Sequence, residues 1–305
     1  MNSPLHWIEF NIFVLIAVAL DLGVFHRKAH KIGIREALIW SAIWIGAAVA
    51  FAIGVYHFYG AQKALEFSTG YLIEKSLSVD NLFVFLVLFR TFGVRPEFQH
   101  RLLVWGVLGA LIMRGAMIAA GAALLARFEW VMYVFGAFLI FVAIHMVFST
   151  ETETHPEKNR LVQFIAKHMR MTKSYSGEKL FVRENGLLYA TPLFLVLLVV
   201  EVTDVTFAVD SIPAVFGITR DAFVVYTSNV FAILGLRTLY FLLAGVLDRL
   251  SYLKFGLAGV LAFVGAKMLV EPWMHIPVVW SLGVVLGILA IATIISLLAK
   301  PKKIT

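Results

Sequence analysis

The chain has 305 residues, of which 61% are hydrophobic and 15% charged, with a mean hydropathy of +0.88. Soluble domains are about 45–50% apolar and about 25% charged, so the composition excludes an ordinary soluble protein and indicates an integral membrane protein. No cysteine is present, which excludes disulfides, thiolate metal sites and iron–sulfur clusters in this chain. The net charge is +7, and most of the positively charged residues lie in the segments between apolar runs. That distribution is typical of membrane topology, and no nucleic-acid partner is expected.

Apolar runs of about 20 residues, the length that crosses a bilayer as a helix, predict nine spans. The fold class is therefore an all-α polytopic membrane protein with a single transmembrane domain over residues 1–305. The predicted spans are 6–25, 37–58, 67–89, 102–125, 130–149, 190–216, 222–246, 252–270 and 277–299.

The distribution of Lys and Arg orients these spans. With the N-terminus outside, the inner segments carry 19 of these residues and the outer segments carry 3. This asymmetry follows the positive-inside rule and predicts an N-out, C-in protein. The remaining four basic residues lie within spans: Lys75, Arg114, Arg237 and Lys267.

The longest connection, residues 150–189, is basic and is predicted to be a cytoplasmic linker. Apolar residues at helical spacing between Leu161 and Met169 predict a short amphipathic helix on the membrane lipid of the inner leaflet. In the stretch LFVRENGLLY, an Asn-Gly pair between apolar residues predicts a small hairpin.

Four pairs of motifs in the same order predict an internal repeat. EKSLSVDN (74–81) matches DVTFAVDS (204–211), and the loops FGVRPEF and FGITRDAF follow them. ALIMR and ILGLR end at Arg114 and Arg237, and FVAIHM (141–146) matches FVGAKM (263–268). Residues 67–149 (spans 3–5) and 190–270 (spans 6–8) are thus predicted repeats. Three spans is an odd number, so the second repeat is inverted, which is typical of secondary transporters. A duplication that only serves folding is the alternative.

Six acids lie within the predicted spans: Asp21, Glu74, Asp80, Glu201, Asp204 and Asp210. Each charge near the bilayer centre costs roughly 3 kcal/mol. Pairing with the four basic residues within spans is the structural explanation, but it leaves two acids over. This surplus favours a site for a cation or for protons.

Helical geometry groups these acids with neutral oxygen donors. At about 100° per residue, Glu74 shares a face with Asn81, and Asp204 shares one with Ser211. Pro213 frees the backbone carbonyl four residues earlier and predicts a kink in the sixth span. Carboxylate, amide, hydroxyl and carbonyl oxygens suit Mg²⁺, Ca²⁺ and Mn²⁺. The predicted metal ligands are Asp80, Asn81, Asp210, Ser211, Asp204, Glu74 and Glu201.

Five residues are candidates for relaying protons or charge: Asp21, Arg114, Arg237, His145 and Lys267. Arg114 and Arg237 could pair with the acids when the metal site is empty. His145 is interpreted as a polar helix contact or proton relay, because its repeat mate, Lys267, cannot bind metal while charged. Asp21 lies outside the repeats and either belongs to the site or braces it.

At these residues the sequence resembles the TerC family of bacterial inner-membrane proteins. The motifs that carry the resemblance are GYLIEKSLSVDNLFVF, GLLYATPLFLVLLVVEVTDVTFAVDSIPAVF and TSNVFAILGLRTLYFLLAGV. The similarity is greatest to the Alx-type branch, which is associated with alkaline-pH induction and manganese export, within a wider LysE-like superfamily. The resemblance implies Mn²⁺ as transported substrate and no bound cofactor. It implies functional residues at Glu74, Asp80, Asn81, Glu201, Asp204 and Asp210.

The main hypothesis is a Mn²⁺ exporter that works by alternating access, with coupling to inward proton flow left open. A carrier for another cation such as Ca²⁺ is the near alternative, because all these ions take oxygen ligands. A non-transporting scaffold that docks partners on its basic linker is the second. An intramembrane aspartyl enzyme is the third, but VDN and VDS lack the flanking glycine of such enzymes, so no enzymatic activity is expected. The oligomeric state is left open.

Overall fold

The structure is a computed structural model of the chain. It describes residues 4–25, 34–128, 130–148, 169–172, 177, 179–184, 187–243, 253–271, 273–274 and 276–298. Within these ranges the protein is mostly helical, with one two-stranded sheet, which confirms an α-helical architecture for the bundle.

Five helices form the first half of the chain. They are α1 (Pro4–Phe25), α2 (Ile34–Tyr59), α3 (Ala61–Thr91), α4 (Pro96–Arg127) and α5 (Val131–Phe148). Gly60 separates α2 from α3 at φ 86°, a backbone conformation that glycine adopts without steric cost. Pro96 starts α4, at a position where the missing N–H breaks no helical hydrogen bond.

The linker ends in a hairpin of two strands, β1 (Phe181–Glu184) and β2 (Leu187–Ala190). The strands are antiparallel, with Phe181 opposite Ala190. The predicted hairpin is therefore confirmed in its strands, whereas its turn lies outside the described residues. The predicted amphipathic helix also falls outside them, over 161–168.

Five helices follow the hairpin. They are α6 (Pro192–Phe216), α7 (Ala222–Ile233), α8 (Leu236–Leu243), α9 (Leu253–Val270) and α10 (Val278–Leu298). Pro213 lies inside α6, one turn from its end. The predicted kink there stays a prediction.

The seventh predicted span consists of two consecutive helices, α7 and α8. Gly235 lies between them at φ 80°. A Cβ on this residue would lie 2.7 Å from the Trp44 side chain, so glycine serves both the turn and the close packing on α2.

Six described segments are long and apolar enough to cross a membrane, which confirms a multi-pass protein. They are Arg35–Tyr59, Phe98–Arg127, Val131–Phe148, Pro192–Phe216, Ala222–Leu242 and Val278–Ser296. The other three predicted spans coincide with α1, α3 and α9 but are not among these six. Nine spans, their orientation and the inverted repeat therefore stay predictions.

The packing places α3 at the centre of the bundle, in contact with α2, α6, α7, α8, α9 and α10. α4 packs against α6, α7 and α8, and α5 packs along α9. The α5–α9 pair crosses closely at two glycines. A Cβ on Gly136 would lie 2.9 Å from the carbonyl oxygen of Gly265, and one on Gly265 would lie 2.7 Å from that of Gly136.

We expect Gly265→Ala to destabilise the protein by roughly 1–3 kcal/mol, because an added methyl group meets backbone that cannot move aside. Gly283→Ala in α10 is the matched control, since its Cβ meets nothing within 4 Å. Thermal unfolding in detergent measures both. A Gly265→Ala protein as stable as the control would contradict the close crossing.

Candidate functional site

A buried arginine connects acids of two different helices. Arg114 of α4 donates two hydrogen bonds to Asp204 of α6, from Nε to Oδ2 at 3.1 Å and from Nη2 to Oδ1 at 3.0 Å. Its Nη1 donates to Glu74 Oε1 on α3. The fork geometry of the guanidinium suits this bidentate contact. Arg114 and Glu74 are 1% exposed and Asp204 is 7% exposed, so water screens the pairs little.

A hydroxyl completes this group. Ser211 Oγ of α6 donates to Glu74 Oε1 at 3.2 Å. Asp204, which contacts Arg114, and Ser211, which contacts Glu74, therefore face one group of side chains from the same side of α6, as their spacing predicts. We call Arg114, Glu74, Asp204 and Ser211 the Arg114 cluster.

The Arg114 cluster carries more negative than positive charge. With both acids ionised, Glu74 and Asp204 contribute two negative charges and Arg114 one positive charge. Buried ions at this depth require compensation by a partner or a bound ion. The predicted pairing of Arg114 with the intramembrane acids is thus present in the structure, and the pair of carboxylates retains capacity for a further cation or proton.

Glu201 lies one turn before Asp204 and faces α4 at a glycine. A Cβ on Gly109 would lie 2.1 Å from Glu201 Oε1, so the carboxylate takes its present position against a residue that has no side chain. The other oxygen, Glu201 Oε2, is buried without a hydrogen-bond partner among the described residues. The role of Gly109 in seating a carboxylate was not predicted, and its position five residues before Arg114 is the only sequence signal for it.

The other predicted ligands lie on the same two helices. Asn81 of α3 is buried, two turns after Glu74, and Asp210 of α6 is half-buried beside Ser211. Asp80 lies within α3, and its side chain is outside the described part of the structure. The same holds for Asp21 in α1.

Within the described residues, the predicted metal ligands are not all brought together. Among the residues that the structure describes, no three His, Asp or Glu side chains lie close enough together to hold a metal ion. Of the seven predicted ligands, Glu74, Asp204 and Ser211 are brought together, and Arg114 occupies the space between the two carboxylates.

A second polar group lies where α3 begins. Lys63 Nζ contacts Glu66 Oε2 at 2.9 Å and Asp221 Oδ2 at 3.0 Å. Thr219 Oγ1 donates to Glu66 Oε2 at 2.6 Å. Asp221 also caps α7, since its Oδ1 accepts from Phe223 N at 3.1 Å. We call Lys63, Glu66, Thr219 and Asp221 the Lys63 cluster.

The Lys63 cluster borders an open cavity of about 280 Å³, which Lys267 and Glu271 also line. Burial lowers the pKa of Lys63, but its hydrogen bonds to Glu66 and Asp221 more than offset this, so its pKa lies above the ordinary value. Sequence reasoning missed this cluster, because charged residues near span ends are ordinarily solvated. The relay candidate Lys267 is placed here.

The remaining relay candidates and intramembrane bases take different positions. Arg237 is buried in α8. Lys75 Nζ donates to the carbonyl oxygen of Ala232 at 3.2 Å. His145 is exposed and stacks on Phe141, with ring centroids 6.1 Å apart. The exposed position of His145 therefore does not support its predicted role as a proton relay.

Residues 59–304 match the model of the integral membrane protein TerC family. The chain belongs to the TerC family. The match covers both repeats, the Arg114 cluster and the Lys63 cluster, so the described site lies within the family domain.

Similar proteins cover nearly the whole chain. An uncharacterized membrane protein of Myxococcus xanthus, STKORF319, is 48% identical over 98% of this chain and 93% of its own length. The membrane protein Alx of Escherichia coli (strain K12), named as a candidate redox modulator, is 49% identical over 97% of this chain and 95% of its own. A membrane protein of Rickettsia bellii is 37% identical over 96% of this chain and 97% of its own. No solved structure matches.

We expect Arg114→Gln to destabilise the protein by about 3–5 kcal/mol, because it leaves two buried carboxylates without their counter-ion. Adding Asp204→Asn should recover part of that loss, since one uncompensated charge is then removed. Thermal unfolding of both single variants and the double variant gives the coupling energy. Strictly additive effects would show that the two side chains do not interact.

Proposed function

We propose that this protein is a secondary transporter that exports a divalent cation, with Mn²⁺ as the first candidate, across the bacterial inner membrane. The observation that carries the proposal is the Arg114 cluster. There, acids from both predicted repeats, Glu74 and Asp204, share one internal cation within the bundle.

The chemistry of the cluster supports a hard divalent ion. Glu74 and Asp204 supply carboxylate oxygens, and Ser211 supplies a hydroxyl. Mn²⁺, Mg²⁺ and Ca²⁺ all prefer such donors. One divalent ion would neutralise both carboxylates, whereas Arg114 neutralises one. Asp80, Asp210 and Asn81 are proposed as further ligands on the same helices.

Arg114 gives the empty carrier a way to return. A metal ion that takes Glu74 and Asp204 must displace the guanidinium, because Arg114 now occupies both acids. When the metal leaves, Arg114 can pair with them again. Neither state then carries two uncompensated acids, which would be costly in the membrane.

The packing pattern supports two structurally equivalent halves. If the repeat exchanges α3 with α6 and α4 with α7, then the α3–α7 contact is equivalent to the α4–α6 contact. Both contacts are present, and α5 packs on α9, its predicted mate. Halves related in this way can expose a central site to either side of the membrane.

The names of some relatives raise a redox function as the other candidate. This chain has no cysteine, so thiol–disulfide chemistry is not available to it. The printed names describe those proteins, and in this chain the buried carboxylates favour cation transport.

We expect purified protein in proteoliposomes to carry Mn²⁺ toward a metal-sensitive dye on the trans side, and to respond to an imposed pH gradient if protons are coupled. Glu74→Gln, Asp204→Asn, Asp80→Asn and Asp210→Asn should each abolish flux. Glu184→Gln in β1 is the control, because it removes an acid outside the membrane helices. Ca²⁺ and Mg²⁺ serve as competitors that rank the ions.

Two outcomes would oppose this proposal. Undiminished flux in the four acid variants would remove the site. No flux from folded wild-type protein under any gradient would favour the scaffold hypothesis. Deleting residues 155–168 then tests docking, because it removes much of the basic linker on which partners would dock. The deletion keeps Thr172, whose amide donates to the carbonyl oxygen of Ala190 in β2 at 2.9 Å.

Mn²⁺ should stabilise Arg114→Gln more than it stabilises the wild-type protein, because the internal competitor for the carboxylates is absent. The shift in thermal midpoint with Mn²⁺ concentration measures this effect. Arg114→Gln with Asp204→Asn is the control, and its shift should be small. An equal shift in all three proteins would mean that Mn²⁺ binds elsewhere.

A further inference from the structure

A crevice lies between α1 and α2, two helices that precede both predicted repeats. Its volume is about 550 Å³, and it is mostly apolar. α7 forms one wall through Phe223 and Phe231, and Phe10, Phe13 and Phe51 contribute aromatic surface from α1 and α2. These rings pack against one another, as in the Phe51–Phe231 contact with centroids 4.9 Å apart. The crevice is thus a preformed apolar slot between membrane helices.

One end of the crevice is polar. His6 near the start of α1 and Tyr59 at the end of α2 are joined by a hydrogen bond of 2.8 Å between Nε2 and the hydroxyl. The other ring nitrogen, His6 Nδ1, is buried without a hydrogen-bond partner in the described part of the chain. Tyrosine at a helix end is typical of the membrane–water interface. The polar end therefore lies where lipid headgroups lie.

Glu9 lines the same crevice, three residues after His6. No hydrogen bond or ion pair joins Glu9 to another described residue. A carboxylate beside an apolar slot attracts a positive group and repels an anionic one. The Tyr59 hydroxyl can donate to an oxyanion when it accepts a hydrogen bond from His6 Nε2–H. Together, these groups fit a headgroup that carries a cation next to a phosphate.

We propose that the α1–α2 crevice binds one phospholipid with a primary-ammonium headgroup, its ammonium at Glu9, its phosphate at the Tyr59 hydroxyl and an acyl chain along the aromatic slot. Three N–H donors of a primary ammonium can hydrogen-bond the Glu9 carboxylate. A quaternary choline headgroup has no such donor, and a phosphatidylglycerol headgroup brings net negative charge. The site therefore discriminates among lipids that share the same acyl chains.

Two glycines of α2 provide a matched test. Gly54 lines the crevice, whereas Gly46 does not. A Cβ at either position meets nothing within 4 Å, so a side chain can leave the backbone at both without a clash. Gly54→Leu fills the slot, and Gly46→Leu adds the same side chain elsewhere on the same helix. The pair separates loss of the crevice from a general effect of a larger residue.

The experiment uses the delipidated full chain in detergent, mixed with equal amounts of phosphatidylethanolamine, phosphatidylcholine and phosphatidylglycerol of matched acyl chains. Native mass spectrometry then counts retained lipids. We expect one phosphatidylethanolamine, favoured roughly tenfold, as a charge-assisted hydrogen bond provides. Glu9→Gln should remove the preference among headgroups, and Gly54→Leu should remove the retained lipid. Gly46→Leu should behave as wild type.

Three results would overturn the proposal. Equal retention of the three lipids by the wild-type protein would exclude headgroup recognition. Retention by Gly54→Leu equal to that by Gly46→Leu would place the lipid elsewhere. A dimer that dissociates specifically in Gly54→Leu would show that a second copy of the chain covers the crevice.

Discussion

A charge inside a membrane protein must be compensated within the bundle, and this requirement organises the centre of the molecule. Arg114 meets it by holding Asp204 through two nitrogens and Glu74 through a third. The three side chains come from α6, α3 and α4, so the ion pairs fix the relative positions of helices that apolar contacts alone leave free to slide. The hydrogen bond from Ser211 to Glu74 then follows from the closeness of α6 and α3, and the placement of Glu201 beside Gly109 follows from the closeness of α6 and α4.

In the function proposed above, the same compensation links structure to transport. Two carboxylates share one guanidinium, so with both acids ionised the cluster is held together but is not neutral. A divalent ion neutralises both carboxylates, whereas Arg114 neutralises one. Arg114 is part of α4, so it stays close to the two acids when no ion is bound. Competition between a mobile ion and a tethered one is what lets a carrier both bind its cargo and release it.

The sequence predicts the helices and the helix faces better than it predicts contacts between helices. Hydropathy places the spans, and the seven-residue spacing of Asp204 and Ser211 predicts their common face, because both properties are local. Gly235 interrupts the seventh span because its turn packs against Trp44, a residue distant in sequence. The sequence also suggests that arginines pair with acids, but only the packing of α4 shows that Arg114 contacts Glu74 and Asp204 at once.

The Lys63 cluster is a second set of contacts between helices that the sequence does not predict, and it holds α3 at another point along its length. Glu66 precedes Glu74 by eight residues of α3, or about 12 Å along the helix axis. At the first point Lys63 ties α3 to the start of α7 through Asp221, and at the second Arg114 ties α3 to α6. The contact of Arg114 with Asp204 runs between the two predicted repeats, whereas Lys63 precedes the first of them. If the proposed transport route runs along α3 from the Arg114 cluster to the Lys63 cavity, we expect the Lys63–Asp221 contact to part while the deeper charges stay compensated. A divalent ion at Glu74 and Asp204 would meet that second condition.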